Sequence, residues 1–460
     1  MTTTAPPRAD RRAGGSAAVI AVPAAATLLA LMNYTAPMAV LADTSAGLRA
    51  GTTGQIWIMS SISLGLAAAL LAVGSLADDH GRRRVFAIGT AALAASSAAC
   101  AVAPGALVFV IGRVVQGAAS AALIATGLGI IGASFEGHRR AHATGVWGAM
   151  LGLGIALGPI AAALMTTAAG WRSWYWAAAA ASVLLGAAAL RTLPESRAAR
   201  RRGLDLPGAA TLSLGVAALL AAITWGRTGW TAPGVLGLFA AAAVLLAAFA
   251  VIELRRAEPM LDLALFRRSP FLLSIIGALV TGLAVIGIMS YLATVMNVAL
   301  GLSPFASALV LAVWSSLSFL AALQARRLPR RLSAGHLLGA GLLLSAAGEV
   351  AMLGLSPGSA WERLVPGLVV AGIGSGLANA MLARLAVESV PPDRASMGSG
   401  ANNTARYIGA ALGVAIVGAI AAGGDKASLA HGTNVAMLLS AIVAALGGGA
   451  ALVVHRRPAQ

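Results

Sequence analysis

The sequence predicts an all-α polytopic membrane protein with 14 transmembrane helices. Three observations predict it: 59% of the 460 residues are hydrophobic, only 10% are charged, and the apolar residues fall in runs of roughly 20. A run of that length is what a helix needs to cross ~30 Å of hydrocarbon. No polar stretch between the runs is long enough to fold a soluble core, so separate extramembrane chemistry is not expected.

The elements follow in order. The opening MTTTAPPRADRRAGGS is polar and carries Pro and Gly, which reads as a disordered tail over residues 1–16. Apolar segments then run over residues 17–42, 55–77, 84–103, 106–132, 143–167, 172–190, 207–224, 233–252, 271–295, 304–323, 334–354, 364–386, 396–421 and 434–454. The loop between the second and third, GSLADDHGRRR, packs two acids, a histidine and three arginines into an otherwise apolar region. Segment 4 holds Arg113 and, one turn on, Gln116. A charge there costs roughly 2.5 to 3.5 kcal/mol on insertion scales and faces protein or a watery cavity rather than lipid. Segment 5 carries Gly145, Gly154, Gly158 and Pro159. The glycine spacings are read as one helix face that permits close backbone approach, and the proline as a bend. Segment 11 holds Glu349 near its outer end, and segment 13 holds Asn402, Asn403 and Arg406.

The net charge of +17 invites a nucleic-acid reading, but the arginines sit in short loops. With a cytoplasmic N-terminus, 24 basic residues fall on the inner side and five on the outer. That asymmetry orients the chain with both termini cytoplasmic in the cell inner (plasma) membrane, and nucleic acid is not needed to explain it. Cys100 is the single cysteine, so no internal disulfide can form. The six histidines (His80, His138, His142, His336, His431 and His455) lie in or beside loops without metal-ligand spacing.

An internal repeat organises the segments. Gly145, Gly154 and Gly158 of segment 5 recur as Gly400, Gly409 and Gly413 of segment 13, displaced by 255, and Arg139 matches Arg394. The loop ending in Arg82 and Arg83 resembles the one ending in Arg330 and Arg331. Segments 1–6 therefore pair with 9–14. The expected domains are an N-terminal six-helix bundle (17–191), a cytoplasmic loop (192–206), inserted helices 7 and 8 (207–253) and a second cytoplasmic loop (254–270). A C-terminal six-helix bundle (271–454) and a cytoplasmic end (455–460) complete the chain.

Over nearly its whole length the sequence resembles a major facilitator superfamily transporter, and more narrowly the fourteen-helix drug:proton antiporter branch. Gly74-x-Leu76-Ala77-Asp78-x-x-Gly81-Arg82-Arg83 matches the superfamily's loop motif, and Arg113-x-x-Gln116-Gly117 its intramembrane arginine motif. Gly145, Gly154, Gly158 and Pro159 match the antiporter motif, whose closing Gly-Gly is Ala162-Ala163 here. Trp171-Arg172-x-Trp174, Pro194-Glu195-Ser196 and Pro259-x-Leu261 also resemble the branch.

The resemblance implies two bundles rocking about a central site, with no cofactor and the proton gradient as energy source. It implies a conformational latch at Gly74, Asp78, Gly81, Arg82 and Arg83, in which Asp78 meets the N-terminus of segment 13, and a hinge or seal at the antiporter motif. Asn33, Arg113, Gln116, Asn402, Asn403 and Arg406 are the expected polar groups of the transport path. Tyr34, Trp57, Trp147, Tyr291 and Trp314 are candidate pocket aromatics.

One departure matters. The branch's first-helix signature carries an acid followed by x-Thr, and here Asn33 stands at that acid's place before Thr35. Asn does not titrate, so Glu349 and Asp78 become the candidate proton carriers. A path with arginines and amides but no carboxylate favours neutral or anionic amphiphiles over lipophilic cations. The expected function is export of small hydrophobic or amphipathic compounds, drugs or antibiotics among them, by a monomer in contact with membrane lipid. Uptake or exchange of a polar metabolite is the alternative. A membrane-embedded transferase would want clustered catalytic groups, and an ATP-driven pump a P-loop; neither is present.

Overall fold

The computed structural model describes residues 11–197, 205–226, 229–256, 259–328, 332–421 and 426–454. Every regular element among them is helical. The first group is α1 (Arg11–Thr35), α2 (Pro37–Gly47), α3 (Thr52–His80), α4 (Arg82–Ala101), α5 (Ala106–Ser134), α6 (Gly137–Ala169) and α7 (Arg172–Thr192). Then come α8 (Leu206–Gly226) and α9 (Pro233–Arg255). In the last group α10 (Ser269–Val280) passes through a π-helical turn (Thr281–Ile286) into α11 (Gly287–Val298). It ends with α12 (Pro304–Gln324), α13 (Ala334–Ala351), α14 (Val365–Glu388), α15 (Ala395–Ile420) and α16 (Lys426–Val454).

Fourteen of these helical runs are long and apolar enough to cross a membrane, with α10, the π-turn and α11 forming one span. The edges differ from expectation in places. The predicted first segment is split at Ala36, because Pro37 starts a new helix and Val40 leaves helical geometry (φ −123°, ψ 18°). Helix α1 begins at Arg11, before the expected end of the tail, while residues 1–10 lie outside the described region. So do residues 455–460 and Arg330 and Arg331, which carry part of the repeat.

Helices α1 to α7 pack on one another mainly through α3–α5, α4–α5, α4–α7 and α1–α6. Helices α10 to α16 do so through α13–α14, α12–α14, α13–α16 and the contact of α10 and the π-turn with α15. Two seams join the groups: α15 lies against α3 and α5, and α6 against α12 and α14. Helix α8 rests on α3 and α15, and α9 lies behind α8. The outer faces are apolar, with Leu184 71% exposed on α7 and Leu254 73% on α9, as a lipid-facing surface requires.

Glycine sets the closeness of the packing, since apolar helices gain little from one another in lipid unless their backbones approach. Gly145 of α6 faces the Ala322 carbonyl of α12, whereas Gly154 and Gly158 face Leu28, Leu31 and Met32 of α1. The expectation of a single glycine face is therefore corrected: nine residues turn a helix through about half a circle, so Gly145 and Gly154 lie on opposite sides. The repeat reproduces the arrangement. Gly400 meets Leu70 of α3 across the other seam, while Gly409 and Gly413 meet Leu279 and Leu283 of α10 and the π-turn within their own group.

Candidate functional site

Every second connection along the chain meets at one end of the molecule, which also carries most of the loop arginines and is here termed the basic end. There α3 gives way to α4 at Gly81, whose φ of +112° is a backbone conformation that glycine adopts freely. A Cβ at Gly81 would meet the Glu195 carboxylate at 2.8 Å. Glu195 Oε1 also accepts from the Arg83 amide at 3.2 Å, so the Pro194-Glu195-Ser196 stretch folds under this turn.

Asp78, fully buried, is shared between the two groups. Its Oδ1 accepts from Arg82 Nε at 2.8 Å and from the Ser396 amide at 3.2 Å, and its Oδ2 accepts from the Met397 amide at 2.8 Å. Those amides are unpaired donors of the first turn of α15, where an anion is stabilised. Arg82 continues across the seam, donating to Ser396 Oγ at 3.1 Å and to the carbonyls of Pro392 and Asp393 at 3.2 and 3.1 Å. Close approach is possible because a Cβ at Gly74 would sit 2.5 Å from the Ser396 carbonyl oxygen, and one at Gly129 would strike the Ser396 hydroxyl.

Sequence reasoning left Asp79 without a role. The structure pairs it with Arg394 Nη1 at 3.1 Å, a buried ion pair also spanning the seam. Four charges are thus buried together as two pairs, the condition under which such burial is tolerated. The one clue was Arg394, the repeat counterpart of Arg139: Arg139 is exposed, whereas Arg394 is drawn into the seam. His80 stays within its own helix, its Nδ1 3.2 Å from the Leu76 carbonyl.

Away from the basic end the groups separate around two adjoining cavities. The larger, ≈ 520 Å³, is walled by Met59 and Ser63 of α3, Tyr291 and Thr294 of α11, and Ala410 and Val414 of α15. The smaller, ≈ 90 Å³, lies between Ile155 and Pro159 of α6 and Leu311, Trp314 and Ser315 of α12. Tyr34, Met38, Ser290, Ala293 and Asn297 border both. No charged side chain lines either one; polarity comes from hydroxyls, Gln55 and Asn297. One turn below Ala410 on α15, toward the basic end, the Tyr407 ring meets Tyr34 across the seam with centroids 5.8 Å apart. Tyr34 lines the cavity and Tyr407 supports its ring from the core behind, and the sequence reading did not single out Tyr407.

Three of the five expected pocket aromatics, Tyr34, Tyr291 and Trp314, lie on these walls. Trp57 does not, and Trp147 is fully buried in the core. Of the antiporter motif Pro159 reaches the smaller of these cavities, and Gly145 lines a separate cleft of ≈ 340 Å³ at the basic end, between the start of α6 and the facing ends of α12, α13 and α14, where Arg384 and Glu388 also lie.

The expected polar path residues are all seated inside the helix packing, and none lines either cavity. Arg113 Nη1 donates to the Asn33 carbonyl at 2.7 Å and to Gln116 Oε1 at 3.1 Å, and Gln116 Nε2 donates to Ser97 at 2.8 Å. Asn33 Oδ1 accepts from Trp174 Nε1 at 3.2 Å. The result is a network tying α1, α4, α5 and α7 together. Asn402 Nδ2 holds Ser274 of α10 through its carbonyl at 2.8 Å and hydroxyl at 2.9 Å, and Asn403 Nδ2 bonds the Ser399 carbonyl one turn back at 3.0 Å. Arg406 is buried with Nε and Nη2 unpartnered. Glu349 is fully buried in α13 beside the close α13–α14 contact at Gly348, and neither carboxyl oxygen has a hydrogen-bond partner.

A sequence profile of the Major Facilitator Superfamily matches residues 24–414 and 332–460. The multidrug resistance protein Stp of Mycobacterium tuberculosis is 31% identical over 391 residues, covering 85% of this chain and 73% of the relative. The probable actinorhodin transporter of Streptomyces coelicolor is 33% identical over 405 residues, covering 85% and 69%. The methylenomycin A resistance protein of the same organism is 28% identical over 98% of this chain and 95% of its own. Among solved structures, the human organic anion transporter MFSD10 superposes with a TM-score of 0.71 at 16% identity, covering 95% of this chain and 99% of that one. At that identity the likeness speaks for the fold alone.

Proposed function

The chain belongs to the Major Facilitator Superfamily, a transporter family and not an enzyme family, and from that premise we propose that it exports drug-like or antibiotic compounds by alternating access. The relatives named for multidrug resistance, antibiotic transport and antibiotic resistance support export. The observation that carries the mechanism is the asymmetry of the seam between α3 and α15: closed at the basic end by Asp78, Arg82, Asp79 and Arg394, and parted toward the other end around an uncharged cavity. With the basic end in the cytoplasm, as the arginine distribution favours, this is the outward-facing state. The two helix groups are then the rocking bundles, with α8 and α9 inserted between them.

The substrate class follows from the wall. A desolvated cation needs a carboxylate and an anion needs a base, and the cavities offer neither. Neutral amphiphiles with hydrogen-bonding groups fit. Arg113 and Arg406, which had argued for anions as well, sit behind the wall. As proton carrier Asp78 is favoured over Glu349. Asp78 gives up its bonds to the Ser396 and Met397 amides when the seam opens, whereas Glu349 lies within one helix group. Purified protein in liposomes, with the basic end inside and an imposed pH gradient, tests the proposal. Gradient-dependent, uncoupler-sensitive export of a neutral amphiphile is expected; inward-only movement or gradient-independent flux would overturn it.

A further inference from the structure

The inserted helix α8 is more than a spacer. Along it Leu212, Val216, Leu220 and Ile223 form a buried stripe at helical spacing, 7%, 2%, 2% and 2% exposed. The stripe changes its neighbours along its length. All four side chains belong to the common apolar core, and near the basic end, where α3 and α15 meet, Leu212 and Val216 touch neither cavity. Further on α3 and α15 part, and Leu220, Ile223 and Thr224 face the ≈ 520 Å³ cavity. Its other walls there are Met59 and Ser63 of α3 and Ala411 and Val414 of α15. Helix α8 therefore stands in the gap between two helices of different groups and separates the cavity from the lipid beyond α9.

Resting on the reading of this cavity as the substrate chamber, we propose that the Leu220, Ile223 and Thr224 face of α8 is a specificity-determining wall. The two aliphatic side chains limit the bulk of the neutral amphiphile that can be held, and the Thr224 hydroxyl supplies the one polar group on that side. A side chain that reaches the cavity from a helix outside both packed groups can change substrate size without touching the seam contacts that run the conformational cycle.

The test uses the full chain with the buried Cys100 replaced by alanine, so that each introduced cysteine is the only thiol. Ile223→Cys and Thr224→Cys are treated with a polar, membrane-impermeant maleimide, beside Met59→Cys on the facing wall and Leu214→Cys, whose parent residue is 59% exposed on the lipid side of α8. Labelling at 223, 224 and 59 but not at 214 is expected, with protection by a transported compound. Labelling at 59 alone overturns the wall, and no labelling even at 59 overturns both the wall and the chamber. Ile223→Trp then reads the role: export of the bulkiest neutral compounds falls about tenfold or more, the scale of overpacking a filled site, while small ones are kept. An equal loss for all sizes overturns specificity. Labelling as expected with no export by the parent protein refutes the export reading and leaves the placement of α8 standing.

Discussion

Replacing Asp79 by asparagine removes one charge from a pair that spans the closed seam. The Asp79 and Arg394 side chains are 10% and 4% exposed, so solvent does little to screen them. Breaking a buried pair costs about 3–5 kcal/mol by leaving the other charge uncompensated. Two features lower that figure. Arg394 Nε already lacks a partner, and an asparagine oxygen can still accept one charge-assisted bond. We take about 2 kcal/mol, which shifts the ratio of closed to open basic ends roughly thirtyfold toward open. Spin labels at Arg139 and Arg327, both exposed at the basic end on either side of the α6–α12 seam, report the separation of the groups. The variant should populate a longer distance that is minor in the parent. Exchanging the charges, Asp79→Arg with Arg394→Asp, should restore most of the short distance. An unchanged distance distribution in Asp79→Asn, or a double exchange no better than either single change, would refute the idea that this pair holds the seam.

Asp78→Asn keeps a hydrogen-bond acceptor but loses the charge facing Arg82 and the α15 amides; membrane insertion should be intact and turnover slowed at least about tenfold, measured as initial export rate. Gly400→Val places a side chain against the Leu70 backbone, and overpacking of about 1–3 kcal/mol should lengthen the same label distance and lower export. Glu349→Met removes an unpartnered buried carboxyl, so Tm should hold or rise and gradient-driven export should persist; loss of coupling with an intact fold would make Glu349 the carrier after all. Ser290→Asp puts a carboxylate on the wall of both cavities, and export of a quaternary ammonium dye should appear or rise by about tenfold, about 1.4 kcal/mol of ion pairing between the carboxylate and a cation that has no N–H to donate.

The fourteen spans were legible because lipid selects length and apolarity locally, and each predicted segment overlaps a helix. The repeat was legible through glycine spacing, and both glycine sets meet equivalent neighbours in the structure. What the pattern could not show depends on contacts between distant parts of the chain. Asp79 finds its partner 315 residues away, and nothing local distinguishes it from a solvated loop acid. Arg113 and Asn33 read as path residues because polar groups in a span are costly. Inward helix packing meets part of that cost through the network with Gln116, Ser97 and Trp174, while Arg113 Nε and Nη2 and Asn33 Nδ2 stay without a partner. Tyr407 was passed over because its significance lies in Tyr34, on a different helix group.

The π-helical turn at Thr281–Ile286 has a bearing on how the cavity is mapped. A turn closed over five residues instead of four holds one residue of slack, so side chains beyond it are offset by about 100° from the face that a plain α-helix would assign them. Ser290, Ala293 and Asn297, which border both cavities, all lie after this offset. A helical wheel drawn through the whole span would place them on the wrong side. Substitutions meant to reach bound compounds from this span should therefore be phased from Gly287 onward.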